Sequence, residues 1–269
     1  MFNLIIEIMK NFYSLLIFCC FFLSCTDDNN EAARTANSTT QLASTPEAKS
    51  IFDNSYKGIY KGIVIGNVSG TLHINILNDE TIWAKFQTED KVTYTLENIP
   101  YPDESGADFE PVMKKYRFGD ENIAFEVKLD ETGNHITTSN LKFFSDSSSK
   151  ICLAKEKSNS LIKCYTGAYT GLEESGTVNF TSDGHSRVSG LIKKTSSPEV
   201  FAFSGEIEII FSDGQISKTG SGNDSDMQYQ LNANLHVGYI RGYLDGYRFD
   251  GNWMNEGMEI GNWGATRIL

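Results

Sequence analysis

The stretch HVGYIRGYLDGYRFDGNW, residues 236–253, decides the fold. Glycine recurs at Gly238, Gly242 and Gly246, the spacing used by closely packed transmembrane helices. The same stretch carries Arg241, Asp245, Arg248 and Asp250, which a lipid-facing helix does not accommodate. An even spacing also places the glycines on one face of a β-strand. Reading Asp245-Gly246 as a two-residue hairpin turn pairs Leu244 with Tyr247, Gly242 with Phe249, Ile240 with Gly251 and Gly238 with Trp253. That face is apolar or glycine. The other pairs Tyr243 with Arg248, Arg241 with Asp250 and Tyr239 with Asn252, and is polar. A one-residue slip would mix the two faces, so the sorting predicts a hairpin. Its glycines face large rings, as in the tightly coiled strands of a closing barrel.

Outward from this hairpin the chain keeps the same character. Segments such as ETIWAKFQ, KVTYTLENI, MKKYRF, ENIAFEVKL, HITTSNLKFF and ICLAKEK, then RVSGLIKK, VFAFSGEIEIIF and MQYQLNANL, read as strands. Turn signals separate them at Asn78-Asp79, Thr132-Gly133-Asn134, Asp183-Gly184 and Asp213-Gly214. No helical period follows residue 50. The fold class is therefore all-β and antiparallel, a barrel or barrel-like sandwich.

The folded part repeats itself. YKGIYKGIVIGNVSGTLHINILND begins at Tyr56 and YTGAYTGLEESGTVNFTSDG at Tyr165. Both run Tyr-x-Gly-x-Tyr-x-Gly, then Ser-Gly-Thr, then alternating apolar residues. Two related domains are expected, over residues 51–157 and 158–269, the second a closed barrel of about eight strands. A single merged β-sandwich is the alternative.

The N-terminus has a separate purpose. Lys10 precedes the apolar run from Leu15 to Leu23, which contains Cys19 and Cys20, and the chain turns polar after Ser24-Cys25. The run is too short to span a bilayer comfortably. It resembles a bacterial lipoprotein signal, in which the cysteine after a small residue is lipidated; here that residue is Cys25. Phe22 stands where leucine is usual, and Met9 is the more typical start for a signal of this kind. The resemblance divides residues 1–24, the signal, from residues 25–50, a lipidated cysteine and a flexible tether poor in aromatic residues. It implies a membrane held through acyl chains. Asp27-Asp28 is similar to the acidic pair that directs lipoproteins of the Bacteroidota to the cell surface, so outer-membrane attachment with surface display is expected over a periplasm-facing one. The ending GNW…GNWGATRI resembles the C-terminal hairpin of small bacterial β-barrel lipoproteins, which implies a barrel and no particular activity.

Beyond Cys19, Cys20 and Cys25, only Cys152 and Cys164 remain. If their strands form a hairpin turning near Ser158, they sit opposite each other and form a disulfide in an exported protein; otherwise they are small buried thiols on separate domains. The loop from residue 98 to residue 111 carries Tyr101 and Phe109, and GSGNDSD, residues 220–226, reads as a second loop. With Tyr239, Tyr243 and Arg248 on the outer face of the hairpin, Tyr101 and Phe109 complete the candidate binding surface, for a glycan or an envelope protein.

The net charge of −12 and the lack of a basic patch argue against a nucleic-acid partner. No catalytic motif, metal-ligand spacing or cofactor fingerprint is present; His73, His135, His185 and His236 are scattered. The expectation is a non-catalytic binding or structural module without cofactor or metal. One alternative is a lipocalin-like carrier, which needs an interior of roughly 300 Å³ or more and is opposed by core-facing Tyr247, Phe249 and Trp253. Another is an envelope hydrolase, which needs paired carboxylates in one cleft.

Overall fold

The structure is a computed structural model that describes residues 42–101, 113–146, 148–171, 174–183, 186–211, 216–217, 227–235 and 238–269. A 3-10 turn, Ser50–Phe52, leads into strands. The first set is β1 (Gly58–Ile65), β2 (Gly70–Ile76), β3 (Ile82–Thr88), β4 (Thr93–Asn98), β5 (Lys114–Gly119), β6 (Ile123–Leu129), β7 (Ile136–Phe143) and β8 (Lys150–Lys155). The second is β9 (Lys163–Gly171), β10 (Ser175–Ser182), β11 (Arg187–Lys194), β12 (Val200–Phe211), β13 (Ile216–Ser217), β14 (Met227–Leu235), β15 (Gly238–Asp245), β16 (Arg248–Asn255) and β17 (Met258–Arg267).

Each set is an antiparallel meander rolled on itself. In the first, β8 returns to pair with β1, and the order β7-β6-β5-β4-β3-β2-β1-β8 makes a nearly closed barrel of eight strands. In the second, β9-β10-β11-β12-β14-β15-β16-β17 closes fully, because β17 pairs with β9 and β11 with β12; β13 is a short addition beside β12. The expected all-β fold of two related domains is present, and each sheet forms its own barrel rather than one face of a merged sandwich. Alternation explains it: in β6 the residues Ile123, Phe125, Val127 and Leu129 are buried and face inward, while those between are half-exposed.

The duplication is visible in register, but one Tyr-x-Gly-x unit further along than the sequence suggests. Tyr60 faces Ile74 and Tyr165 faces Phe180; Gly62 faces Leu72 and Gly167 faces Val178. Tyr60-x-Gly62 therefore corresponds to Tyr165-x-Gly167, and Tyr56 precedes β1. Steric need fixes this match. A Cβ on Gly62 would lie 2.2 Å from the Cys152 carbonyl oxygen, and one on Gly167 would lie 1.9 Å from that of Gly264. Both glycines stand where the closing strand comes nearest.

The opening hairpin keeps its predicted faces but slides by a whole inside–outside repeat. Asp245 faces Arg248, Leu244 faces Phe249, Gly242 faces Gly251 and Ile240 faces Trp253. The turn is Gly246-Tyr247, with φ of +58° at Gly246, as a glycine-first hairpin turn requires. Arg241 consequently faces Asn252, and Asp250 is bonded instead by Arg248 along the same strand, at 2.7 and 2.8 Å. Tyr247 sits on the turn, 62% exposed, and is not part of the core. Trp263 lies over Gly242, and Trp253 over Gly171 and Gly261. A bulge between Trp253 and Met254 sets the register of β17 and turns Trp263 inward.

The barrels meet along the outer face of β1. Ile63 and Ile65 pack with Ile162, Cys164 and Leu191. Beside them Lys61, fully buried, donates to Glu156 and pairs with Glu47, each at 2.8 Å. The Glu156 carboxylate also accepts from the backbone of Glu47, Ala48 and Ile162, which satisfies a charge that would otherwise be costly to bury. The segment around Glu47 is thus fixed to the first barrel, and the Ala43 carbonyl accepts from Arg267 of β17, so the expected tether does not extend to residue 50. Its stretch from residue 25 to residue 41, like the signal and Cys25, lies outside the described residues.

Candidate functional site

One end of the second barrel is not filled. Deeper in, Tyr165, Phe180, Phe203 and Phe249 close the interior; Tyr165 stacks on Phe180 at 4.7 Å between ring centroids. Toward the ends of β9 and β11 a cavity of about 170 Å³ opens to solvent. Trp253 and Trp263 form one wall, and Val178, Ile192, Phe201, Leu235 and Ile240 the rest. Alternation delivers these groups inward: Ile240 and Trp253 face each other across β15 and β16, and Trp263 faces Tyr169 across β17 and β9.

The cavity has few polar groups. Glu174 and Lys194 stand at its mouth and bond each other at 2.7 Å. Tyr169 is 5% exposed, meets Trp253 edge-on at 5.4 Å, and its hydroxyl has no hydrogen-bonding protein partner. Burial first, and the Glu174 carboxylate second, push its pKa up to about 12, so it is a donor at neutral pH.

The volume is below the roughly 300 Å³ of a carrier for drug-sized ligands. It is close to the ~150 Å³ cavity known to take a benzene-sized molecule. The space excludes a long lipid from full enclosure and accepts a single ring or a short chain. A larger cleft of about 620 Å³ lies between the barrels, lined with polar residues including Lys157, Thr181, Arg187 and Ser189. Lys155 borders it too, but its ammonium is held by the carbonyls of Phe52, Asp53, Ser55 and Thr132 and points to a structural role.

The residues singled out in the sequence are dispersed. Tyr239 and Tyr243 share the outer face of β15, with Tyr243 40% exposed, and Arg241 stands over the Tyr239 ring at 6.0 Å. Arg248 is on the same outer surface but is engaged by Asp250 and Thr266. This surface and the cavity are opposite faces of one strand. Tyr101 belongs to the first barrel, beside the Glu126 carboxylate, far in sequence and sheet from the other two tyrosines. Phe109 and the loop at residues 220–226 lie outside the described residues.

Cys152 and Cys164 are free thiols. The chain does turn at Lys157–Ser160, but the flanking strands diverge into different barrels, so Cys152 faces Ile63 and Cys164 faces Thr181. Both lie in the apolar contact between the barrels. Burial pushes the Cys152 thiol up to about 11 and raises Cys164 as well, which keeps them protonated and unreactive.

Glu47 and Glu156 converge, yet on buried Lys61 rather than in a cleft. Among the described residues no group of three or more His, Cys, Asp and Glu is placed to hold a metal ion. The cavity is not legible in the sequence, where Tyr169 is part of a repeat and inward-facing apolar residues count as core. Comparison of the chain with protein families, with curated proteins and with solved structures finds no match.

Proposed function

We propose that the chain is an exported lipoprotein of the bacterial envelope, anchored through Cys25, whose second barrel binds a small apolar ligand without chemically changing it. The observation that carries this is the open apolar cavity walled by Trp253 and Trp263. Its charged groups, Glu174 and Lys194, neutralise each other, which favours binding over acid–base chemistry. Both barrels present charges outward, Lys85, Glu97 and Arg117 on the first and Arg241, Arg248 and Asp250 on the second. Such surfaces suit water better than lipid, in keeping with attachment through an acylated terminus instead of the barrel wall. The exposed Tyr243 and Tyr247 rings favour a second contact, with an envelope glycan or protein.

Binding is tested by calorimetric titration of the mature chain with isopropylbenzene. Saturable one-site binding, lost when Ile192→Trp occupies the cavity, supports the reading; no binding to wild type rejects it. Attachment is tested separately by metabolic labelling with a fatty acid in wild type and Cys25→Ala. Surface display predicts cleavage by protease added to intact cells, and protection until the outer membrane is opened would reject it.

A further inference from the structure

The two barrels differ at one seam. Counted from their first strands, β7 and β8 correspond to β16 and β17. β16 and β17 pair along their length, whereas β7 and β8 are the two ends of their sheet and do not pair. The backbone pattern of β8 follows from one bond. The Glu156 amide donates to the Ile59 carbonyl at 2.9 Å, one step beyond the pair of Tyr60 with Lys155. Antiparallel pairing alternates, so Ala154 also turns its main chain toward β1, while Leu153 and Lys155 turn theirs away. Among the described residues no strand pairs with that outer edge of β8. Such an edge offers a row of donors and acceptors to an incoming main chain.

The free edge opens on the cleft of about 620 Å³ between the barrels, which Leu153 and Lys155 line. Ligand sites favour such junctions and volumes. Ile136, Leu153 and Ile162 give the cleft apolar surface, and Lys157 and Arg187 give it charge. Neither of these two cationic groups has an ion-pair or hydrogen-bond partner among the described residues. The carboxylate in the lining, Asp183, already accepts from the backbone of Ser186 and Arg187 at 3.0 and 2.9 Å. The Lys155 ammonium is held by carbonyls, which leave its charge in place. The chain carries −12 overall, but exposed charges more than about 8–10 Å away are screened, so the local positive excess decides.

We propose that this cleft binds a short extended peptide with acidic side chains, which adds a strand to β8 at Leu153 and Lys155. Its main chain pairs with the free edge, its apolar side chains meet Ile136 and Leu153, and its carboxylates meet Lys157 and Arg187. The site is independent of the cavity in the second barrel. The mature chain is titrated calorimetrically with acetyl-Val-Glu-Val-Glu-amide, with its glutamine counterpart, and with glutarate as a bare dicarboxylate. The acidic peptide is expected to bind at one site, about fivefold tighter than the glutamine peptide. Glutarate should bind at least about tenfold more weakly than the acidic peptide. Alternate amides face β8, so of two further peptides, N-methylated at the valines or at the glutamates, one should lose about tenfold. Arg187→Gln should weaken the acidic peptide about fivefold and the glutamine peptide by less than about twofold.

No binding of the acidic peptide overturns the proposal. If both N-methylated peptides bind like the parent, strand addition fails; if glutarate binds as tightly, the cleft is a site for simple anions. Equal affinity for the glutamine peptide, or an unchanged acidic preference in Arg187→Gln, overturns the role of the cations. Ile192→Trp, which fills the cavity of the second barrel, should leave peptide binding unchanged; a loss there would place the peptide in that barrel and overturn this site. Arg187 is exposed, so thermal melting of Arg187→Gln is expected to match wild type, which separates lost recognition from lost folding.

Discussion

The two barrels are built to one plan and filled differently. In the first, Phe86, Phe118, Phe125 and Phe143 pack against one another with centroids 5.1 to 6.2 Å apart along the chain of contacts, and all are fully buried. The second closes its ring of hydrogen bonds more completely yet leaves space near Trp253 and Trp263. Closure of the wall and filling of the interior are therefore separate properties. The wall depends on register and glycine placement. The interior depends on side-chain volume at inward positions.

Large-to-small substitution should separate the barrels most. Phe143→Ala is expected to cost about 3–5 kcal/mol, because it opens a void among rings that cannot collapse into it. Ile192→Ala enlarges a space that is already open and half-exposed, and about 1 kcal/mol is expected. Urea unfolding measures both. Equal costs would mean that the second barrel is as tightly filled as the first in solution.

The corresponding glycines should behave alike where the cores do not. Gly62→Ala and Gly167→Ala each drive a Cβ into a backbone carbonyl of the closing strand, and each should cost about 1–3 kcal/mol. If Gly62→Ala were silent while Gly167→Ala were severe, the nearly closed barrel would be absorbing strain through the unpaired edge between β7 and β8. That outcome would weaken the correspondence drawn from register.

Acid should load the first barrel more than the second. The next position along β2 and β10 holds His73 in one and Asn179 in the other, facing the barrel exterior. His73 is partly buried, its side chain 16% exposed, beside Trp83 and near Glu47, Lys61 and Lys85; desolvation chiefly, with the two lysines, pushes its pKa down to about 4 despite Glu47. Its unfolded value is about 6.5, so between these limits the unfolded chain holds a proton that the folded chain does not. Stability should fall as pH drops through that window, by up to about 1.4 kcal/mol per unit. Glu47, whose pKa is lowered, adds a loss of the same sign below its own unfolded value. Unfolding midpoints from about pH 7 to about pH 5 should slope downward in wild type and flatten in His73→Asn. A slope unchanged by that substitution would place the titration elsewhere.

How far the chain could be read follows from the same physics. Strand faces were legible because alternation is local: ENIAFEVKL sorts its residues without knowledge of any neighbour. The 245–248 turn was misplaced because a slide by a full inside–outside repeat leaves both faces unchanged, so polarity cannot detect it. Lys61 illustrates a different limit. It lies on the outward side of β1, where a charge predicts solvent, but that side is covered where the barrels meet and its partner Glu156 is distant in sequence. The cysteines stay undecided between a disulfide and buried thiols for the same reason, since the fate of a short connection depends on which sheets its strands join. The cavity was hidden most completely. Inward Ile, Leu and Trp residues look the same in sequence whether they fill a space or line one.

The smallest expected effect is the sharpest comparison, because it isolates one oxygen atom in each barrel. The Tyr60 hydroxyl donates to the Tyr56 carbonyl at 2.6 Å, within a filled core. Tyr60→Phe removes that bond and leaves the carbonyl to find another donor, at a cost of about 1 kcal/mol. Tyr169→Phe removes a hydroxyl that no protein group bonds, so the protein without ligand should lose nothing and gain up to about 1 kcal/mol. Paired urea titrations of the two variants resolve a difference of opposite sign more securely than its size. If Tyr169→Phe destabilises the free protein as much as Tyr60→Phe does, its hydroxyl is bonded within the fold. The cavity beside it would remain open, because its volume does not depend on where that hydroxyl bonds.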